Sequence, residues 1–565
     1  MLASRLSGFA FALSLLAASA VAGEPSPAVE AKRGMVVSAQ HEASDAGLAI
    51  LKAGGNAIDA AVAVGYALAV VDPCCGNIGG GGFMLIRRAD GSTAFVDFRE
   101  TAPAGASRDM YLDAGGKPNP DRSRYGYRAA GVPGTVMGLD KALAAYGSLD
   151  RTKVMAPAIA LARDGFVLGE SDAAILAGKA ERLAADPAAA KVFLRPDGKT
   201  LEAGDRLVQP DLARTLSLIA EHGPDAFYRG PIADLVASSS AANGGIVTPA
   251  DFAAYIAPQR APVACAYRGY RVISAPPPSS GGVILCEMLN ILSGWDMAAL
   301  PPRSAAAVHL MVEAMRRAYR DRNSELGDPA FVANPLDRLL SPAYAASLRA
   351  GIDPGRATPS EAVPGVAIAH EKPETTHYSV VDSDGNAVAV TYTLNGNFGA
   401  AVMPPGTGFL LNDEMDDFTA SPGAPNMFGL VQGEANAIAP GKRPLSSMTP
   451  TIVEKDGRPV LVLGSPGGPR ITTAVLEVLS GIIDHRLSPA AAVAAPRIHH
   501  QWLPDTVYYE RGGLDPETVT ALTAMGQRLT EQAPWGAVEL IAIGEDGTRI
   551  GINDPRRPAG AAKGY

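Results

Sequence analysis

Three Asp-Gly turns set the first constraint on this chain. "ADGS" separates "FMLIRR" from "TAFVDF", "DSDGN" separates "THYSVV" from "AVAVTYT", and "KDG" separates "TPTIVE" from "RPVLVLG". Each turn joins two apolar or alternating runs, and its glycine can take the positive φ that a tight reversal needs. Each therefore reads as an antiparallel hairpin. One hairpin lies early and two lie late. Between about 130 and 350 the pattern is mainly helical, as in "GTVMGLDKALAAYG", "PDLARTLSLIAEHG" and "SAAAVHLMVEAMRRAYRDR". "YRGYRVISAPPPSSGGVILCEMLNIL" inserts a strand and a Pro-Gly loop into that series. Strands near both ends of the chain, with helices attached, predict a layered α/β sandwich.

Ahead of the first hairpin, a strand leads into a helix near 42–53, ended by Gly54-Gly55, and a second helix near 57–70. The second is nearly all apolar, but alanine dominates it and Asp59 sits inside it, which reads as a buried helix and not a bilayer span. The first 27 residues have the parts of a secretory leader: Arg5, a short apolar run from Gly8 to Leu16, and Ala20-Val21-Ala22 as a cleavage site. The expected products are a leader at 1–22 and a mature chain from Gly23, exported to periplasm or medium with no membrane span remaining. A net charge of -9 argues against a nucleic-acid partner. Four cysteines are spaced unlike a zinc site. Cys74 and Cys75 are neighbours, between which a bond would be strained, and the four are expected to be mostly structural or free.

Familiar chemistry is largely excluded. "GGGG" at 79–82 lacks the Lys-Ser/Thr of a phosphate loop, and Met84 stands where a dinucleotide fingerprint needs its third glycine. "LGSPGG" resembles a nucleophile elbow but has Leu463 in place of the first glycine. Adjacent His499 and His500 point to opposite faces of a strand and read as structural. No cofactor or metal site emerges. What remains is Thr375, in the loop entering the second hairpin. A threonine hydroxyl is a weak nucleophile until a base takes its proton. At a chain terminus its own α-amine, of pKa near ~8, can be that base. Gly467-Gly468, ahead of a helical pattern, offer unhindered N–H groups for a developing oxyanion.

The motifs "GGNAIDAAVA", "DFRETAP", "PGTV", "TTHYSVVDSDGNAVAVTYTLN", "LNDEMDDF", "KRPLSSMTPTIV", "GSPGG" and "HHQWLPD", in this order over the mature chain, resemble the γ-glutamyltranspeptidases. The resemblance implies an N-terminal-nucleophile hydrolase: a four-layer αββα sandwich made as a precursor that cuts itself. It implies a cut between Glu374 and Thr375, a large subunit of 23–374 and a small one of 375–565, with Thr375 as nucleophile and Thr393 hydrogen-bonded to it. It implies Arg99, Ser446 and Ser447 on the substrate's α-carboxylate, and Asp417, with Glu414 beside it, on the α-amine. Asn395 would hold the glutamyl end, and Gly467 and Gly468 the oxyanion. The implied substrates are glutathione and other γ-glutamyl compounds, with water, amino acids or short peptides as acceptors. A cation and an anion at fixed separation suit a zwitterionic amino-acid head. Taken singly, Arg99 also fits a solvated strand end, "DEMDD" an exposed acidic turn, and Ser446-Ser447 loop filler. The stretch 421–444 corresponds to the family's lid loop, with Phe428 where many members carry Tyr or Trp. Two alternatives stay open: a glutaryl- or cephalosporin-type acylase on the same fold, and a homologue that binds without cutting.

Overall fold

The computed structural model describes residues 25–360 and 375–565. The expected leader at 1–22 and the Glu374 side of the expected cut lie outside them. All three hairpins form. Gly81–Arg87 pairs with Thr93–Phe98, Thr376–Val381 with Ala387–Thr393, and Thr451–Lys455 with Arg458–Leu463, each antiparallel. In the middle turn the Asp382 carboxylate accepts from the amides of Asp384 and Asn386, and Gly385 takes φ +89.

The hairpins seed two antiparallel seven-stranded sheets. In the first, the central hairpin Thr376–Val381 and Ala387–Thr393 is flanked by Met35–Ser38 and Ala561–Gly564 on one side. On the other lie Gly81–Arg87, Thr93–Phe98 and Gln259–Arg260. The second runs in the order Val29–Ala31, Arg549–Ile552, Leu540–Ile543, Arg458–Leu463, Thr451–Lys455, Tyr270–Ser274, Val263–Tyr267. Both sheets thus draw strands from before and after position 375.

Alternation along the strands sorts the side chains into layers. Val37, Phe83, Leu85 and Phe95 of the first sheet meet Ile273, Ile452, Val462 and Ile541 of the second in one buried cluster. The opposite face of the first sheet, including Val36, Met84, Tyr378 and Val390, packs under the helices Ala57–Val71, Thr135–Tyr146 and Pro210–His222. The outer face of the second, including Val272, Val453 and Leu463, packs under Gly281–Leu292, Ala305–Glu325 and Arg470–Ile483. The result is the expected four-layer αββα sandwich. Coverage on both faces explains why Gly81–Arg87 is buried at every position.

Ala57–Val71 is buried along its whole length, as its composition predicts. Asp59 belongs to its first turn: with Asn56 it forms a reciprocal cap, and it also accepts from the Ser148 and Leu149 amides. Among the described residues no helix is long and apolar enough to cross a membrane. The cysteine expectation needs correction, since both pairs are bonded and no free cysteine remains among the described residues. Cys265 lies on an edge strand and Cys286 on the helix packed over it, with Cα atoms 5.7 Å apart. That proximity comes from strand–helix packing, which local sequence does not display.

Candidate active site

Thr375 immediately precedes the strand Thr376–Val381 and is 4% exposed. Strand alternation puts it on the face of His377, Ser379 and Val381, toward the second sheet. Ser379 Oγ donates across the gap to the Glu539 carbonyl at 3.0 Å. The His377 ring lies between Thr391 Oγ1 (2.8 Å) and Ser379 Oγ (3.2 Å), and burial pushes its pKa down to about 3. It is a neutral packing element between the sheets.

Thr375 opens on a cavity at one end of the inter-sheet crevice. Thr393, Asn395 and Gly468 line it, and so do Arg99, Asp417, Ser446 and Ser447. Thr393 ends the partner strand, and its Oγ1 accepts from the Asn395 amide at 2.9 Å. Asn395 takes φ +83 and is held by its Nδ2 donating to the Asp413 carbonyl at 3.1 Å.

Arg99 follows the strand Thr93–Phe98 and is 1% exposed, so it is no solvated strand end. Nη1 lies 2.6 Å from Glu414 Oε2 and 3.6 Å from Glu100 Oε2, Nη2 donates to Asp417, and Nε donates to the Pro444 carbonyl at 3.2 Å. Burial works against its charge, but these carboxylates outweigh it and raise the pKa. Burial likewise pushes Glu414 well up and Glu100 to about 8, against the pull of Arg99. The short 3-10 helix Glu414–Asp417 is buried and is not an exposed acidic turn. Asp417 lines the cavity, while Glu414 stands behind Arg99 and does not.

Ser446 and Ser447 are 3% and 7% exposed and line the cavity, so they are not loop filler. Ser446 Oγ accepts from the Met448 amide at 3.1 Å, and Ser447 Oγ accepts from Arg322 Nη2 at 3.0 Å. Gly467 and Gly468 take φ +135 and +54 as the strand Arg458–Leu463 turns into the helix Arg470–Ile483. Successive positive-φ glycines ahead of a helix form a concave set of amides suited to an anion. Among the described residues neither amide donates to another group. Phe428, half-buried, lines the cavity with Leu430 and Ile471; the expected lid segment therefore lies at the site.

The chain matches the family model described as gamma-glutamyltranspeptidase over residues 43–564. It is 53% identical to a glutathione hydrolase proenzyme of Pseudomonas sp. (strain A14), covering 95% of each chain. It is 50% identical to the glutathione hydrolase proenzyme of Escherichia coli (strain K12), over 95% of this chain and 93% of that one. The chain belongs to the γ-glutamyltranspeptidase family. Among solved structures, a cephalosporin acylase from Bacillus halodurans superposes with a TM-score of 0.85 at 27% identity, over 96% of this chain and 98% of that one.

The cavity also holds Arg322, in the helix Ala305–Glu325. It is 1% exposed and lines the cavity. The available signal was a run of arginines at 316, 317, 320 and 322 in a helix whose first half is largely apolar. His499 and His500 are both buried and neither lines the cavity; only His499 lies in a strand, Ile498–His499. The His499 ring is held by Thr473 (3.0 Å) and Gln501 (2.9 Å), and that of His500 by Asp505 (3.2 Å). Burial lowers both, His500 to about 4.

Proposed function

We propose that this chain is an exported, self-processing enzyme that cleaves γ-glutamyl amides, glutathione among them, and passes the acyl group to water or to an amine. The observation that carries this reading is the convergence on one cavity of Thr375, Arg99, Asp417 and the Gly467-Gly468 turn. They come from four separate parts of the chain.

In the first stage Thr375 Oγ attacks the carbonyl of Glu374. The peptide bond becomes an ester, the Thr375 amine is freed, and water releases the acid. The products are a large fragment ending at Glu374 and a small one of 375–565. Because each sheet contains strands from both sides of the cut, the fragments stay together without a linking peptide bond.

In the second stage the free amine takes the proton of Thr375 Oγ as the oxygen attacks the substrate's γ-carbonyl. The Gly467 and Gly468 amides face the oxyanion as charge develops there. Collapse forms the γ-glutamyl ester and expels the leaving amine, which takes the proton back. Water or an acceptor amine then repeats the sequence in reverse. Thr393 holds the nucleophile, and Asn395 the glutamyl end. Arg99, Ser446 and Ser447 take the α-carboxylate, while Asp417 takes the α-amine.

The acylase reading is favoured by the Bacillus halodurans neighbour. A glutaryl group, however, has no α-amine, and would leave Asp417 without a ligand partner at a cost of about 1–3 kcal/mol. The test is release of nitroaniline from a γ-glutamyl anilide by the purified wild type and Thr375→Ala. Activity in the wild type alone is expected; equal rates would end the proposal.

A further inference from the structure

The two buried arginines of the cavity are charge-balanced differently. Among the described residues Arg99 has three carboxylates within 4 Å, those of Glu100, Glu414 and Asp417. Arg322 has none among the described residues. Its Nε donates to Ser280 Oγ (3.0 Å), Nη1 to Asn323 Oδ1 (2.9 Å) and Gln432 Oε1 (3.0 Å), and Nη2 to Ser447 Oγ (3.0 Å). All four acceptors are neutral. A buried guanidinium surrounded only by neutral acceptors is held against its desolvation, and burial pulls its pKa down to about 10. Among the described residues, Arg322 is therefore the cavity arginine with no carboxylate in contact, although the Asp417 carboxylate still favours its charge from farther off.

The hydroxyl between Arg322 and the cavity has a definite polarity. Ser447 Oγ accepts from Arg322, and among the described residues its own hydrogen goes to no acceptor. A hydroxyl that accepts from a cation becomes a better donor on its other side. Arg322 also reaches the amine side of the site. Gln432, which accepts from it, donates to the Asp417 carbonyl at 3.0 Å, and Asn436 donates to the same carbonyl at 2.7 Å.

We propose that Arg322 is a positioning residue that supplies the positive charge for the α-carboxylate of the donor amino acid, transmitted through the Ser447 hydroxyl. Arg99 then contributes hydrogen-bond direction, with Glu414 and Asp417 already in contact with its guanidinium. This inference rests on the γ-glutamyl reading above and assigns the carboxylate end of that site.

The test compares γ-glutamyl and 4-aminobutyryl p-nitroanilides, which differ only in the α-carboxylate. In Arg322→Gln the ratio of their kcat/KM values is expected to fall about 10- to 100-fold, through KM for the γ-glutamyl substrate. Arg322→Lys should recover part of that loss. Ser447→Ala should lower the ratio too, and Arg322→Gln added to it should lower it little further. Equal loss of both activities, with the ratio unchanged, would mean Arg322 only supports the fold, and would overturn the proposal. If Arg322→Gln yields no two-fragment protein, Ser447→Ala and Arg322→Lys decide: a lowered ratio in both supports the proposal, and an unchanged ratio in either refutes it. A wild type that cleaves neither anilide would instead refute the γ-glutamyl reading itself.

Discussion

Replacing Gly467 by alanine isolates the contribution of backbone geometry to the reaction. Among the described residues a Cβ at this position would meet nothing closer than 3.6 Å, so crowding is not the obstacle. The obstacle is φ, which at +135 lies where essentially only glycine rests. Alanine there is strained by about 1–3 kcal/mol, relieved when the peptide joining 467 to 468 rotates. That peptide carries the Gly468 N–H, one of the two proposed oxyanion donors. Losing one such donor costs about 10²–10³ in kcat. Gly468→Ala is the control, because φ +54 is within the left-handed region an alanine can occupy at about 1–2 kcal/mol with no rotation. The assay is anilide hydrolysis by processed protein, with urea denaturation in parallel. Gly467→Ala is expected to lower kcat about 100-fold or more with KM little changed, and Gly468→Ala about tenfold or less. A Gly467→Ala enzyme with kcat within about threefold of wild type would refute the assignment of these amides.

Three other outcomes follow from the same geometry. His377 has a folded pKa of about 3, below its unfolded value near ~6.5, so between those limits the unfolded chain binds a proton that the folded one does not. Its contribution is complete above ~6.5 and is lost as pH falls toward 3. His377→Gln should flatten the pH dependence of unfolding free energy there by up to ~1.4 kcal/mol per pH unit, and an unchanged slope would contradict the burial argument. The Cys265–Cys286 bond links positions 21 apart, so Cys265→Ser with Cys286→Ala should destabilise by about 3 kcal/mol in denaturant titrations without altering KM. Asp417→Asn should lower kcat/KM for γ-glutamyl relative to glutaryl anilide by about tenfold or more; an unchanged ratio would free Asp417 from recognising the amine.

The parts of the fold set by local sequence were legible in it. Alternation and an Asp-Gly turn define each hairpin within some twenty residues, and Asp59 marked Ala57–Val71 as a buried helix rather than a membrane span. The cavity was legible in a different way. Nothing local distinguishes Arg99 from a surface charge; only its register with "NDEMDDF" and "PLSSM" did, and the structure shows why, since those segments meet it across 318 and 345 residues of sequence. Arg322 stayed hidden for the same reason. Its partner Ser447 is 125 residues away, and a helix that is buried on nearly every side looks alike in sequence whether its arginine meets a carboxylate or a cavity. The Cys265–Cys286 pairing likewise depends on one helix docking over an edge strand.

The central claim is that Thr375 works as a chain terminus. The most direct measurement is Edman sequencing and intact mass of the lighter polypeptide in purified, active protein. The account predicts a fragment beginning Thr-Thr-His-Tyr and running to Tyr565, absent from Thr375→Ala. Full activity from an uncut chain, or a light fragment starting at any other residue, would contradict it.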